Sequence, residues 1–373
     1  MSHHPNRPNR MMDYIACIIL AFALLQLLVA WVNLLFQERL PARDVVPLPT
    51  LSLLIPARDE EMNIGRLLGD LTTINDRILE IIVCDDQSSD RTAELVEESA
   101  AHDSRIRLIR GDRLPDGWSG KNHTCHCLAK EATGDYLLFL DADVRVEEGV
   151  IDRSLQYMQR HRCDLMSIFP TQEMCTLGEK ITVPNMQIIL LTLLPLPLVR
   201  LLAFPSLSAA NGQFMLFQRD TYRELEPHRQ FRKSRAEDIE IARYLKQLRR
   251  RVSCLTGVNG IRCRMYHSLS EAVEGFSKNV TYFFGNSSEA AILYWLVTTL
   301  GFIVFLIAGR WEWLLFWIAA TLLSRTAATL TAGMKTSDNL LFFLPQQLML
   351  GAFILRSLIN RRKKTFIWKG RNI

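Results

Sequence analysis

The chain has 373 residues, 49% of them hydrophobic and 22% charged, with a formal net charge of +5. That length accommodates one sizeable globular domain plus further elements, and the mild positive balance carries none of the basic-aromatic patterning that grips nucleic acid. The eight cysteines are dispersed along the chain, which argues against a disulfide-stapled secreted domain and favours reduced thiols.

After Arg7 and Arg10 comes a nearly uncharged stretch from Met12 to Phe36. It reaches the ~20 apolar residues that cross a bilayer, exceeds the apolar core of a cleaved signal peptide, and meets no small-residue cleavage site before Gln37-Glu38-Arg39. Residues 12–36 therefore read as a retained transmembrane helix. Prolines between Pro41 and Pro49 stop it and keep the connector extended. A soluble α/β domain is expected over residues 50–280. Leu51 to Ile55 reads as its first strand, Pro56 to Glu61 as the following turn, and Met62 to Ile74 as an amphipathic helix with Ile64, Leu67, Leu68 and Leu71 on one face. Glu80 to Cys84 is the second strand, and Asp90 is placed to cap a helix reaching His102. Arg105 to Arg110, Asn122 to Thr133 and Asp135 to Leu140 continue as strand, helix and strand. Alternation at this pitch builds a parallel-rich sheet with flanking helices.

Beyond Asp143 the pattern loosens. Residues 181–205 are strongly apolar but interrupted by Pro184, Pro195, Pro197 and Pro205 and carry Arg200, which fits an interfacial segment lying on the bilayer, with a true span as the alternative. Ala290 to Ala308, Trp311 to Ala332 and Leu340 to Ile359 then fill a C-terminal transmembrane region over 289–360, the first two joined tightly at Gly309-Arg310. If the first span delivers the domain to the cytoplasm, three more would leave the basic tail 361–373 outside, against the positive-inside bias. Two or three C-terminal spans are the readings, and Leu340 to Ile359, with Pro345-Gln346-Gln347 inside it, is the weakest of them. The expectation is a multi-pass cell-membrane protein whose main domain faces the cytoplasm. Arg249-Arg250-Arg251 and Arg361-Arg362-Lys363-Lys364 read as solvated surface or as contacts to anionic headgroups.

Two carboxylate clusters stand where apolar strands end: Asp85-Asp86 after Ile81 to Cys84, and Asp141-Ala142-Asp143 after Tyr136 to Leu140. Ligands of open α/β sheets bind beyond the carboxyl ends of strands, so both clusters fall where a site belongs. Asp141 and Asp143 offer oxygen ligands to Mg²⁺ or Mn²⁺ shared with a diphosphate; the plain alternative is that the aspartates cap the next helices. His123 and Cys127 share a helix face, but no second ligand pair follows at finger-like spacing, which disfavours zinc.

The run Asp85-Asp86-Gln87-Ser88-Ser89-Asp90-Arg91-Thr92, followed by Asp141-x-Asp143, resembles the family 2 glycosyltransferases of GT-A fold, and over roughly Leu51 to Lys278 further motifs follow in that family's order. The resemblance implies that Pro56, Ala57, Arg58 and Glu60 make the opening nucleotide contact and that Asp86, supported by Asp85, meets the base or ribose. It implies Asp141 and Asp143 at the metal and nucleotide sugar, Lys121 and Arg264 near the phosphates, and Asn211 and Gly212 beneath the acceptor. Glu237-Asp238 resembles the catalytic pair, with Asp238 as general base just ahead of a helix from Ile239 to Leu248. The layout, ending in Trp368-Lys369-Gly370-Arg371, is similar to membrane-bound bacterial members that glycosylate carotenoid acids and to hopanoid-associated ones. What this implies is inverting transfer of a single sugar from a nucleoside-diphosphate sugar, UDP-hexose being the leading donor, to a membrane lipid such as a carotenoid or other isoprenoid. Two departures stand out. Glu226-Pro227-His228 replaces the Gly-Gly-His often found before the acidic pair, and Arg262-Cys263-Arg264-Met265-Tyr266 replaces the Gln-x-x-Arg-Trp of processive synthases, which favours single-sugar transfer. The competing classes are a sugar nucleotidyltransferase, which needs a glycine-rich loop that Pro56 to Glu61 lacks, and a non-catalytic nucleotide-sugar-binding membrane scaffold, which has no use for the full set of acids.

Overall fold

The computed structural model describes residues 10–44, 47–74 and 76–363, together with backbone pairing at 367–368 and 371–372. In chain order the elements are α1 (Arg10–Leu35), β1 (Leu51–Ala57), α2 (Ile64–Thr73), β2 (Ile78–Asp85), α3 (Thr92–Ala100), β3 (Ile106–Arg110), α4 (Gly120–Glu131), β4 (Tyr136–Leu140), β5 (Val144–Val146), α5 (Val150–His161), β6 (Leu165–Phe169) and β7 (Thr171–Gln172). There follow α6 (Leu177–Thr182), α7 (Pro184–Leu193), α8 (Leu196–Leu201), β8 (Phe214–Gln218), α9 (Arg219–Leu225), α10 (Pro227–Gln230), α11 (Glu237–Gln247), β9 (Val252–Thr256), β10 (Ile261–Cys263) and α12 (Leu269–Asn279). The last are α13 (Ser288–Ala308), α14 (Trp311–Thr331), α15 (Thr336–Leu341), α16 (Phe343–Lys363), β11 (Ile367–Trp368) and β12 (Arg371–Asn372). The chain folds as two units, a sheet unit built mainly of Gln37–Met174 and Leu196–Met265 and a helical unit of α1, Cys175–Pro195 and Tyr266–Lys364.

In the sheet unit, seven strands run in the order β3-β2-β1-β4-β8-β6-β9. β1, β2, β3 and β4 are mutually parallel, as the alternation implies, because each return passes through a helix laid on the sheet. β8 is antiparallel to both β4 and β6, so the sheet is mixed rather than purely parallel. A smaller sheet, β5-β10-β7, sits past the end of β4. The central strands are unbroken apolar runs because both faces are covered: in β1 every residue but Pro56 is buried, and Ile64, Leu67, Leu68 and Leu71 of α2 pack into the same core.

Several boundaries differ from the sequence reading. β1 continues through Pro56-Ala57, since the parallel ladder with Cys84-Asp85 holds those residues extended. α3 begins at Thr92, and Asp90 stands two residues ahead of it, where its carboxylate accepts from the Thr92 amide at 3.0 Å. α4 begins at Gly120, which brings Lys121 into its first turn. α11 begins at Glu237, so the acidic pair lies inside the first turn rather than ahead of the helix, where negative charge suits the amide ends.

The join between β1 and β4 is tight. The Ser52 hydroxyl donates to Glu80 at 2.7 Å and accepts from the Gly134 amide at 2.8 Å, while Thr133 donates to the same Glu80 oxygen from its amide and its hydroxyl.

In the helical unit, α1 turns the stripe Ala16, Ile19, Ala23, Gln26, Ala30 and Asn33 inward at helical spacing. Gln26 donates to Thr192 and to Tyr294, and Asn33 donates to the Leu191 and Leu194 carbonyls at 2.8 and 2.9 Å, so polar groups bond helix to helix within apolar segments. α1, α13 and α14 are the three described helices long and apolar enough to cross a membrane. α16, in the segment read as the weakest span, is not among them and ends in Arg361-Arg362-Lys363. The apolar stretch 181–205 is divided: nine side chains of α7 are buried in the helical unit, and only Leu201 to Phe204 are exposed. Of the basic tail 361–373, residues 364–366, 369–370 and 373 lie outside the described residues, so the reading of Trp368-Lys369-Gly370-Arg371 does so in part.

A Cβ on Gly134 would stand 2.5 Å from the Ser52 amide nitrogen and 2.8 Å from the Leu51 carbonyl carbon, both backbone atoms of β1. Gly134→Ala is therefore expected to destabilise the protein by about 1–3 kcal/mol. Thermal unfolding of the purified full chain, with Gly69→Ala on the open face of α2 as the comparison, measures it.

Candidate active site

The carboxyl ends of β1 and β2 form the first part of the site. Pairing of Pro56 with Cys84 and of Ala57 with Asp85 brings the turn after β1 beside Asp85-Asp86, and the Asp86 amide donates to the Ala57 carbonyl at 2.8 Å. Arg58 donates to the Asp86 carbonyl at 2.6 Å and lies 3.9 Å from its carboxylate. The two turns interlock. The Asp59 amide donates to Ser88, Asp59 accepts from the Ser89 amide at 2.8 Å, the Glu60 amide donates to Thr92, and the Glu61 amide donates to Asp90. Both turns carry a non-glycine residue in left-handed backbone, Asp59 at φ 51° and Gln87 at φ 58°, conformations that persist only where neighbours over-determine them. Asp85 and Asp86 are almost fully buried, and Asp85 accepts from the Ser88 amide at 3.2 Å.

The second part gathers where β4 ends beside the start of β8. Lys121 donates to Asp141 at 2.7 Å and lies 4.0 Å from the Glu237 carboxylate. The Gly212 amide donates to Asp238 at 3.0 Å, and Asp238 accepts from the Ile239 amide at 2.8 Å through its other oxygen. A Cβ on Gly212 would stand 3.1 Å from the Lys121 nitrogen, tighter than ordinary contact, and 3.6 and 3.8 Å from oxygens of Glu237 and Asp238, so Gly212 lies at the point where the three side chains meet. Asn211 is fixed by Ser167, to whose hydroxyl its amide donates at 2.7 Å, and its own side chain accepts from the Gln213 amide.

Asp143 faces Gln213, whose amide nitrogen lies 3.4 Å from one carboxylate oxygen and 2.8 Å from the Cys263 sulfur. The other oxygen is buried and takes no hydrogen bond of ordinary geometry among the described residues. Burial, then the charges of Asp141 and Glu60, push the Asp143 carboxyl well above the usual carboxylate range. Burial raises Glu237 as well, against the pull of Lys121, and raises Asp238. Burial works against the Lys121 ammonium, but Asp141 and Glu237 overcome it and keep the group protonated. Asp141, Asp143, Glu237 and Asp238 crowd the Lys121 ammonium, and burial holds the last three acids above the usual carboxylate range. Asp141 and Asp143 offer the oxygen donors that Mg²⁺ or Mn²⁺ takes, and no group of three or more His, Cys, Asp or Glu set to hold a metal occurs among the described residues.

The structure thus brings Pro56, Ala57, Arg58, Glu60, Asp85 and Asp86 into one group and Lys121, Asp141, Asn211, Gly212, Glu237 and Asp238 into another, with Glu60 near enough to act on Asp143. Arg264 is the residue after β10, where the antiparallel register Cys263↔Val144 leads next to Asp143. His123 and Cys127 face each other at 3.7 Å with no further ligand. Two residues of the site escape the sequence reading as site residues. Gln213 contacts Asp143, and its signal was its place directly after Asn211-Gly212. Asn122, wholly buried beside Lys121, donates to the carbonyls of Phe231 and Ser234 at 2.9 and 3.0 Å and so anchors the loop that leads into Glu237.

Asn122→Ala leaves those two carbonyls unsatisfied in a buried place, an expected loss of about 1–3 kcal/mol in local stability. Hydrogen exchange at residues 231–236, faster in the variant while β1 and β2 stay protected, measures it.

Comparison with known proteins follows the same lines. Residues 52–226 match the family model for glycosyl transferase family 2. A 4,4'-diaponeurosporenoate glycosyltransferase of Staphylococcus haemolyticus is 37% identical over 123 residues, which is 32% of each chain. The probable glycosyltransferase YdaM of Bacillus subtilis is 34% identical over 113 residues, 29% of this chain and 26% of that one. The chain thus matches about a third or less of the length of these curated relatives. A mannosyltransferase of Pyrobaculum calidifontis, solved with GDP-Man and Mn²⁺, superposes with a TM-score of 0.55 at 16% identity over 94% of this chain and 99% of that one, which shows a shared GT-A fold. Residues 52–226, within the sheet unit, carry a glycosyl transferase family 2 domain.

Proposed function

We propose that the sheet unit transfers one sugar from a nucleoside-diphosphate sugar to a lipid acceptor at a membrane, inverting the anomeric carbon. The observation that carries this reading is the convergence of Lys121, Asp141, Glu237 and Asp238 around Gly212, beside a segment matched to a glycosyltransferase family. The turn of Pro56 to Glu60 and the Asp85-Asp86 pair would hold the nucleoside, with Asp86 accepting from the base or ribose and Arg58 bracing it. Asp141 and Asp143 would hold Mg²⁺ or Mn²⁺, which when bound supplies Lewis acidity to the diphosphate. Lys121 adds fixed positive charge where the leaving phosphates gather negative charge, and Arg264 can add a second. The acceptor oxygen attacks the anomeric carbon as the bond to the diphosphate breaks, and the nucleoside diphosphate departs with the electron pair. For an alcohol acceptor Asp238 takes the hydroxyl proton; a carboxylic acid arrives already ionised and needs no base.

A lipid acceptor is supported by the three membrane-grade helices and by the carotenoid acid in the name of the Staphylococcus relatives. A UDP-hexose is the leading donor, the nucleobase being read from the resemblance. With α1, α13 and α14 as spans, the chain between the first and second and the chain after the third would lie on one side of the membrane, and Arg361-Arg362-Lys363 supports the cytoplasm as that side.

Lipid extracts from cells with and without the protein, compared for the mass of a missing sugar adduct, test the reading and name the product. Asp143→Ala is expected to abolish Mn²⁺-dependent donor turnover, and wild-type turnover that survives exhaustive EDTA would remove the metal from the scheme. Asp238→Asn is expected to lower transfer to an alcohol acceptor by about 10²–10⁴-fold while sparing a carboxylic acid.

A further inference from the structure

Leu201, Leu202 and Phe204 form an apolar tip on the sheet unit, 60%, 38% and 62% exposed, in a unit whose other large apolar side chains are mostly enclosed. Apolar side chains clustered in the open mark an interaction surface. The tip is held from three sides. Arg200, at its base, donates to Glu38 at 2.6 Å, and Glu38 is itself bonded by Tyr157 and by Ser253. The Leu207 amide closes the turn on the Phe204 carbonyl at 3.0 Å. The Lys246 side chain, 2% exposed, donates to the carbonyls of Val199 at 2.7 Å and Leu207 at 2.5 Å, one on each side of the tip. Burying an ammonium against carbonyl dipoles is costly. Burial pulls Lys246 down to about 8, so it still carries its proton near neutral pH.

We propose that residues 201–204 are the surface by which the sheet unit contacts membrane lipid, and that Lys246 is the staple that presents them. The occupant follows from connectivity: Glu38 is three residues of chain beyond the end of α1, a reach of about 10 Å, and α1 is a membrane-grade helix. Arg39, exposed beside Glu38, supplies a cation for headgroups. The staple springs from α11, the helix that opens with Glu237-Asp238, and the chain leaving the tip runs directly to Asn211-Gly212. A lipid seated on the tip is thereby held in register with the site through covalent structure. The contact itself does not depend on sugar transfer.

The test uses the full chain in nanodiscs of phosphatidylethanolamine and phosphatidylglycerol, with photoreactive benzoylphenylalanine placed at Phe204. Illumination is expected to give phospholipid-mass adducts on the peptide containing residue 204. The same probe at Glu97 of α3, which packs by β3 at the opposite edge of the sheet from β9 and α8, is expected to give none. Lys246→Met is expected to cut the lipid adduct at 204 at least fivefold and to speed amide exchange at residues 200–208, with β1 and β2 unchanged; Lys246→Arg, which keeps a cationic donor, restores both. Adducts at 204 to another copy of the chain, or equal lipid labelling at Glu97, overturn the surface. Unchanged labelling and exchange in Lys246→Met overturn the staple.

Discussion

Negative charge gathered at the carboxyl edge of a sheet, with a single ammonium to balance it, is the constraint around which the rest of this structure is arranged. Asp141 and Asp143 follow the end of β4, and Glu237 and Asp238 stand in the first turn of α11. Lys121 answers part of that charge, donating to Asp141 and lying 4.0 Å from Glu237, beside Gly212. Burial first, and the neighbouring carboxylates after it, hold Asp143 and Glu237 above the usual carboxylate range. A site in this condition gains from a divalent cation and from a diphosphate that shares it, the two components the proposed donor brings.

The same edge shows why neighbouring turns are strained and pinned. Asp59 and Gln87 sit in left-handed backbone, and the hydrogen bonds between the two turns hold them there. Asn122 spends both its side-chain protons on one loop, so the approach to Glu237 is fixed from within the core. Rigidity at the nucleotide turns and at the acidic pair serves positioning, the larger share of what a transferase can contribute when the leaving group is already good.

The helical unit solves a different problem. Apolar helices gain little from burying apolar surface against one another in lipid, so they are joined by small residues and by internal hydrogen bonds. Ala16, Ala23 and Ala30 line the inner stripe of α1, a Cβ on Gly301 would stand 3.1 Å from Ile19, and Gln26 and Asn33 bond to α7 and α13. Arg325, almost wholly buried, donates to the Asn339 carbonyl and stacks over Phe343.

Unbroken apolar runs ending in acids, alternating with helices of 3.6-residue period, made the parallel-rich sheet with its flanking helices and the long apolar first helix legible in the amino-acid sequence, because those features are periodic or local, whereas Glu237-Asp238 was read from the resemblance. Other features depend on residues far apart in the chain. The antiparallel insertion of β8, the extension of β1 through Pro56, and the start of α11 at Glu237 are set by ladder partners and packing. That Gly212 is the point of convergence, that Gln213 faces Asp143, that Asn122 anchors a loop more than a hundred residues away, and that Lys246 holds the apolar tip emerge only when the strands are assembled. A side chain's type announces what it can bond to; which atoms stand within 3 Å of it is decided by tertiary structure, because that distance is set by every element packed between.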